Sequence, residues 1–325
     1  INIVTGETLP QNTFTMTDYY FVGWAFAADG KVEYFDEALF IVAEDGGSYT
    51  LYAIWVDNIA DFVDICGYYR EGNYILFGEY PQTIKANDVT ITATTDSRGY
   101  YLGSDGYYYA KVTATPYTSG YTFSTSATVT SGTVYYFKVE PIKWRILEES
   151  DGTALILCES IIANMWYDDS SNNYMNSEIR AWLNEEFYNK AFNVLQQELI
   201  QITNVDNSVY STGYSSNPYT CANTNDKIFL PSYREMVNTA YGFSSDYTAY
   251  DTARRRLTSD YSRATGVCMS TNTTYYGNGW WWLRSPDSYN SSNARSVFPG
   301  GRFYSSNYVS STFRGVVPAL KIRLS

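Results

Sequence analysis

Apolar residues recur along the chain with two different periods, and the switch between them marks its organisation. In YYFVGW (19–24) and YTLYAIW (49–55) aromatic and β-branched residues run together, which predicts strands. Between them AADGK (27–31) and EDGG (44–47) carry Asp-Gly turn chemistry. Residues 1–56 therefore read as a small β-rich unit, a half-buried sheet with a short helix or loop crossing it. Residues 57–72 read as a linker in which IADFVDIC can pack on either neighbour. From 73 to 147 apolar and polar residues alternate around Gly-Ser-Asp-Gly and Ser-Gly turns, as hairpins do. TALILC (153–158) reads as a short buried strand.

The period then lengthens. Asn176 or Ser177 can cap a helix with Ile179, Trp182, Leu183 and Phe187 on one face, and Phe192, Leu195, Leu199 and Ile202 continue the stripe. PSYRE (231–235) is a capping box, Ser232 with Glu235 three residues on, and Gly242 is placed to end that helix. The last 45 or so residues return to strands and loops. Strands, then helices, then loop-rich strands predict an α+β class.

Composition narrows the chemistry. The 325 residues carry 34 acids against 22 bases, a net charge of −12, and both nucleic acid and anionic lipid demand a basic footprint instead. No run of apolar residues is long enough to span a bilayer. There is no initiator Met or basic-then-apolar leader, so the chain is expected to be a mature piece of something longer. Histidine is absent, which removes Ser-His-Asp and Cys-His nucleophile systems and most catalytic zinc sites. Cys66, Cys158, Cys221 and Cys268 lie far apart with no CxxC. Buried free thiols are the first reading, with one or two bridges (three ways to pair all four) as the alternative.

Two stretches carry family resemblances. The Phe21-Val22-Gly23-Trp24 box, Asp29-Gly30 and the closing Leu51-Tyr52-Ala53-Ile54-Trp55 resemble the internalin-type B-repeat, a β-grasp-like module of bacterial surface proteins. That resemblance implies a stalk or spacer over residues 1–56. Residues 73–325 resemble the bacterial domain of unknown function 6273, through ILFGEYPQ (75–82), IKWRIL (142–147), SEIRAWLNEEFYNKAF (177–192), NDKIFLPS (225–232), WWLRSP (281–286) and GVVPALKI (315–322). Pro231 stands where that pattern has Leu. The closing pattern is similar to the end of C-type-lectin-like domains of the formylglycine-generating-enzyme branch. That branch includes surface receptors whose C-terminal segment is diversified by retroelements. The resemblance implies a C-type-lectin-like α+β domain with a loop-rich C-terminal ligand-binding segment.

Residues 287–314 support the same reading by their own chemistry. Ser, Asn, Tyr and Gly fill 16 of the 28 positions, with three Arg and three Phe besides. This is close to the vocabulary of antibody binding loops: rigid Tyr contacts, adaptable polar groups and Arg anchors. The segment is net +2 on an acidic chain, which favours acidic or aromatic partners. Lys, Glu, Gln, Met and Trp are absent from it and are the five residues that pyrimidine-ending codons cannot encode. They make up 41 of 325 residues, so absence by chance is roughly 2%. Adenine-directed diversification would produce that absence. The simpler alternative is an ordinary polar loop.

The candidate ligand-binding residues are Trp280, Trp282, Asp287, Tyr289, Asn290, Ser291, Asn293, Arg295, Phe298, Arg302, Tyr304, Ser305, Asn307, Tyr308, Ser310, Thr312 and Arg314. Val297 and Val309 are expected as core anchors of a hairpin turning at Gly300-Gly301. Trp281 and Leu283 are expected in the core, Trp280 and Trp282 facing solvent or ligand, and Arg284 bracing loops through carbonyls. The expected partner is a protein or glycan on another cell or phage surface. No nucleic acid, membrane insertion, cofactor, metal or catalytic residue is expected, and the chain is expected to be extracellular and monomeric. Asp168-Asp169 and Glu185-Glu186 are adjacent pairs whose side chains diverge on a helix. A hydrolase built from distant carboxylates and a purely structural envelope module are the alternatives.

Overall fold

The computed structural model describes residues 1–42 and 48–324. The EDGG turn at 44–47 lies outside the described residues. The N-terminal unit is two two-stranded sheets. Asn2–Val4 pairs with Ser48–Thr50, and β1 (Tyr20–Ala25) pairs antiparallel with β2 (Tyr52–Val56), Trp24 opposite Ala53. Ile3, Leu9, Trp24, Phe40 and Leu51 are buried together there, a small core spanned by loop. The stretch read as a linker is ordered: α1 (Ile59–Cys66), capped by Asn58, leads into the strand Tyr68–Glu71. Its apolar face explains this, since Val63 is buried and Phe62 packs edge-on to Tyr69.

The largest sheet has ten strands. Its spine is β4 (Val134–Ser150), which runs antiparallel to β3 (Tyr74–Ile84) along one edge. On its other edge lie Tyr108–Thr113 and β5 (Thr153–Cys158). The register of β4 with β3 shifts between Lys138 and Val139 and again after Pro141, a residue that cannot donate to the ladder. TALILC is the buried strand its composition predicts.

Helical turns Glu178–Trp182, Leu183–Phe187 and Tyr188–Ala191 run on from a Ser177 cap, with Ile179, Leu183, Phe187 and Ala191 buried. The stripe does not continue through Ile202. Phe192 is extended, Asn193 caps a separate helix, α2 (Val194–Leu199), and Ile202 is exposed. The Ser232–Glu235 capping box is present on α3 (Tyr233–Met236), but that helix stops at Val237, and Gly242 caps a separate short turn, Thr239–Tyr241. The chain is mixed α+β, strand-rich with few helices. All four cysteines are free, and burial pushes the Cys66 and Cys158 thiols up to about 11.

Candidate ligand-binding surface

The C-terminal segment is framed by β6 (Trp281–Pro286), β7 (Asn293–Val297) and β8 (Phe303–Tyr308), an antiparallel run with β8 at the sheet edge. After it, β9 (Ala319–Arg323) returns to pair with β5. The turn between β7 and β8 is closed by the Phe298 N–H donating to the Arg302 carbonyl at 2.8 Å. Gly301 has φ of +92°, and a Cβ there would overlap the Asp251 carbonyl, so glycine is required on both counts. Val297 and Val309 are buried, and the hairpin forms where the sequence places it.

The frame divides the seventeen candidate residues three ways. Tyr289, Asn290, Ser291, Arg302, Tyr304, Tyr308, Ser310 and Thr312 are exposed, Tyr289 most of all at 85%. Trp280, Phe298 and Ser305 are half-buried. Trp282, Asp287, Asn293, Arg295, Asn307 and Arg314 are buried, contrary to the expectation that they face ligand. For Trp282 the reason is that β6 lies inside its sheet, between β7 and Gly315–Val316, with both faces covered. Its Nε1 donates to the Met165 carbonyl at 3.0 Å and its ring meets Tyr167.

The buried polar residues hold the displayed ones in place. Asn172, which sequence reasoning passed over, sends its Nδ2 to the carbonyls of Asn293 (2.8 Å), Asn290 (3.0 Å) and Asp287 (3.4 Å). Its own N–H donates to Ser291 O at 2.7 Å. One side chain therefore fixes the loop that carries Tyr289. An Asn in a Ser/Asn-rich loop gives no sequence signal of such a role. Asn172→Ala is expected to cost about 1–3 kcal/mol, since it removes the one side-chain donor that ties three carbonyls of the loop together. Urea denaturation, with faster amide exchange confined to residues 287–293, checks this.

Asn307 is held the same way: its Nδ2 donates to Ser296 Oγ at 2.6 Å, and its Oδ1 accepts from Arg314 Nε at 3.1 Å and Nη2 at 2.5 Å. Arg314 also lies over the Trp280 ring at 4.3 Å, and Trp280 meets Phe298 and Tyr304 edge-on. Burial pulls the Arg314 guanidinium down to about 10, with the Cys268, Tyr117 and Tyr304 groups opposing, so it stays charged at neutral pH. The aromatic cluster is thus pre-set around a cation, with Tyr304 at its exposed side.

The acidic pairs are engaged by groups close to them in sequence. Asp168 Oδ1 accepts from the Ser170 and Ser171 N–H groups at 3.1 and 2.8 Å, and Glu186 pairs with Lys190. Among the described residues no group of three or more Cys, Asp or Glu side chains is placed to hold a metal ion. Among them, too, no helix is long and apolar enough to cross a membrane.

A family model, Domain of unknown function (DUF6273), matches residues 151–324, just over half of the chain. The chain belongs to the DUF6273 family. The matched span takes in β5, α2, α3 and the whole C-terminal hairpin, together with the SEIRAWLNEEFYNKAF, NDKIFLPS, WWLRSP and GVVPALKI stretches. ILFGEYPQ and IKWRIL fall before it, on β3 and β4. No curated protein and no solved structure matches the chain. Within the DUF6273 segment, sequence reasoning also missed Tyr214 and Tyr233, whose rings flank Arg295 at 4.1 and 4.2 Å.

Proposed function

We propose that the chain is an extracellular, non-enzymatic ligand-binding protein of the adhesin or receptor type, displaying its C-terminal hairpin to a protein or glycan on another surface. One observation carries the reading: exposed Tyr289 on the loop before β7, and exposed Tyr304 and Tyr308 on β8, stand on a frame that also holds buried Val297, Val309 and Trp282. Rigid aromatic contacts on a preorganised frame lose little entropy on binding. The reading extends to a C-type-lectin-like domain carried on a B-repeat stalk, with retroelement diversification of residues 287–314. On that reading, diversification falls on the exposed positions 289–291, 302, 304, 308, 310 and 312, while Asn293, Asn307 and Arg314 stay constant.

The test is a binding screen against host and bacterial surface extracts with the wild-type chain and the Tyr289→Ala/Tyr304→Ala/Tyr308→Ala variant. Loss of at least tenfold in binding is expected, with a stability change under about 1 kcal/mol because all three side chains are exposed. Unchanged binding would move the site elsewhere, and no binding by the wild type would leave a structural module. A neighbouring reverse transcriptase with a near-repeat of these codons is the expected genomic companion.

A further inference from the structure

Six arginines are buried among the described residues. Four have a carboxylate at ion-pair distance: Arg254 with Asp251, Arg256 with Glu159, Arg263 with Asp260 and Arg284 with Glu235. Arg295 and Arg314 have none among the described residues, on a chain with 34 acidic residues. Arg314 spends its donors on Asn307. Arg295 does not: it is 8% exposed, and its Nε is buried with no hydrogen-bond partner. A buried guanidinium without a carboxylate to pair with is costly, and a ligand carboxylate would supply that pairing.

The surroundings of Arg295 say what it is held for. It sits at a cleft of about 350 Å³ lined by Tyr214, Tyr233, Tyr247, Phe303 and Ser305. The register slips between Ala294 and Ser296, so that Ser305 and Ser306 of β8 both lie opposite Arg295. A bulge of this kind re-aims a side chain. Gly213, with φ of +73°, borders the cleft, and a Cβ there would strike the Tyr233 ring. Any other residue would push that wall inward.

The Arg295 guanidinium carbon lies 4.1 Å from the centre of the Tyr214 ring and 4.2 Å from that of Tyr233. Contact with ring faces does not use the in-plane N–H donors of a guanidinium, and its Nε here has no hydrogen-bond partner; a carboxylate pairs with such donors two bonds at a time. The hydroxyl of Tyr233 interacts with the Arg295 guanidinium as well. Burial lifts that phenol above its usual range, and the nearby cation partly offsets the lift.

We propose that the Arg295 cleft binds the carboxylate of an acidic sugar residue. The volume is at the small end of ligand sites, which span about 300–1,000 Å³, enough for one sugar ring and short for a peptide segment. Four aromatic rings offer apolar walls to the C–H faces of a pyranose, and three tyrosine hydroxyls with Ser305 are at hand for its hydroxyls. This stands apart from the adhesive reading, which rests on Tyr289, Tyr304 and Tyr308, and the two tests share no substituted residue.

Isothermal titration calorimetry of the whole chain tests it with the methyl glycosides of glucuronic acid, galacturonic acid and N-acetylneuraminic acid. Methyl glucoside is the neutral control and N-acetylglutamate amide the peptide-like arm. At least one acidic glycoside is expected to bind, at least tenfold more tightly than methyl glucoside. Arg295→Met should abolish that binding and Arg323→Met, on the exposed end of β9, should leave it unchanged. Ser305→Trp fills the cleft from the edge strand while keeping the arginine in the chain and should also abolish binding, which keeps the test valid if Arg295→Met does not fold. No binding by any acidic glycoside, equal binding of methyl glucoside, or tighter binding of N-acetylglutamate amide would each overturn the proposal, the last making this an acidic-peptide site.

Discussion

Arg284→Met is expected to destabilise the protein by about 3–5 kcal/mol, the usual consequence of removing one member of a buried ion pair. Arg284 is 3% exposed. It forms two bonds with Glu235, Nη1 to Oε2 at 2.7 Å and Nη2 to Oε1 at 3.0 Å. It also donates to the Leu230 carbonyl at 2.8 Å and to the Asp206 carbonyl at 3.2 and 3.3 Å. Burial alone would pull the guanidinium down, but the Glu235 carboxylate reverses this and holds it above its ordinary range. Methionine fills much of the volume and leaves the Glu235 charge and both carbonyls unmet. Adding Glu235→Gln should recover part of the loss, because Gln can still accept from the Ser232 N–H that caps α3 and no longer brings a charge. Urea midpoints of the two single variants and the double variant read the coupling. Additive losses would show that the ion pair is not what Arg284 contributes.

Trp282→Ala is expected to cost a similar amount, about 3–5 kcal/mol for a large ring removed from a packed core, whereas Trp280→Ala should cost about 1–2 kcal/mol. The contrast follows from burial. Trp282 is 0% exposed, packed on Tyr167 and bonded to Met165, while Trp280 is half-buried against Phe298, Tyr304 and Arg314. Denaturation followed by circular dichroism gives both values. Equal losses at the two positions would contradict this packing.

The same pair of residues shows where sequence reading stops. Alternation along WWWLRSP sets Trp280 and Trp282 apart from Trp281, yet it says nothing of how many faces are covered, and Trp281 and Trp282 are equally buried. In a strand with neighbours on both sides and cover above and below, both parities are core. Local chemistry was legible wherever it closes within a few residues: the Ser232–Glu235 capping box, the Ser177 cap and the Gly300-Gly301 hairpin turn. The carbonyl brace by Arg284 was also expected, but its carboxylate partner 49 residues away was not. Asn172 and Arg295 were illegible for the same reason. Their roles are set by Asp287 to Asn293 and by Tyr214 and Tyr233, which are distant in sequence. The helical stripe through Phe192 was over-extended because Asn193 accepts from the Gln196 N–H and restarts the helix, a break that apolar spacing does not record.

The pairing of β5 with β9 joins Leu157 to Ala319, about 160 residues later. During synthesis the middle of the main sheet therefore waits with an open edge until the displayed hairpin has already been made. A hairpin that could not close its turn would delay the arrival of β9, and the exposed apolar edge of β5 would be a target for aggregation or proteolysis. β9 is thus the strand that covers the second edge of β5, and a chain cut before Ala319 would leave that edge open.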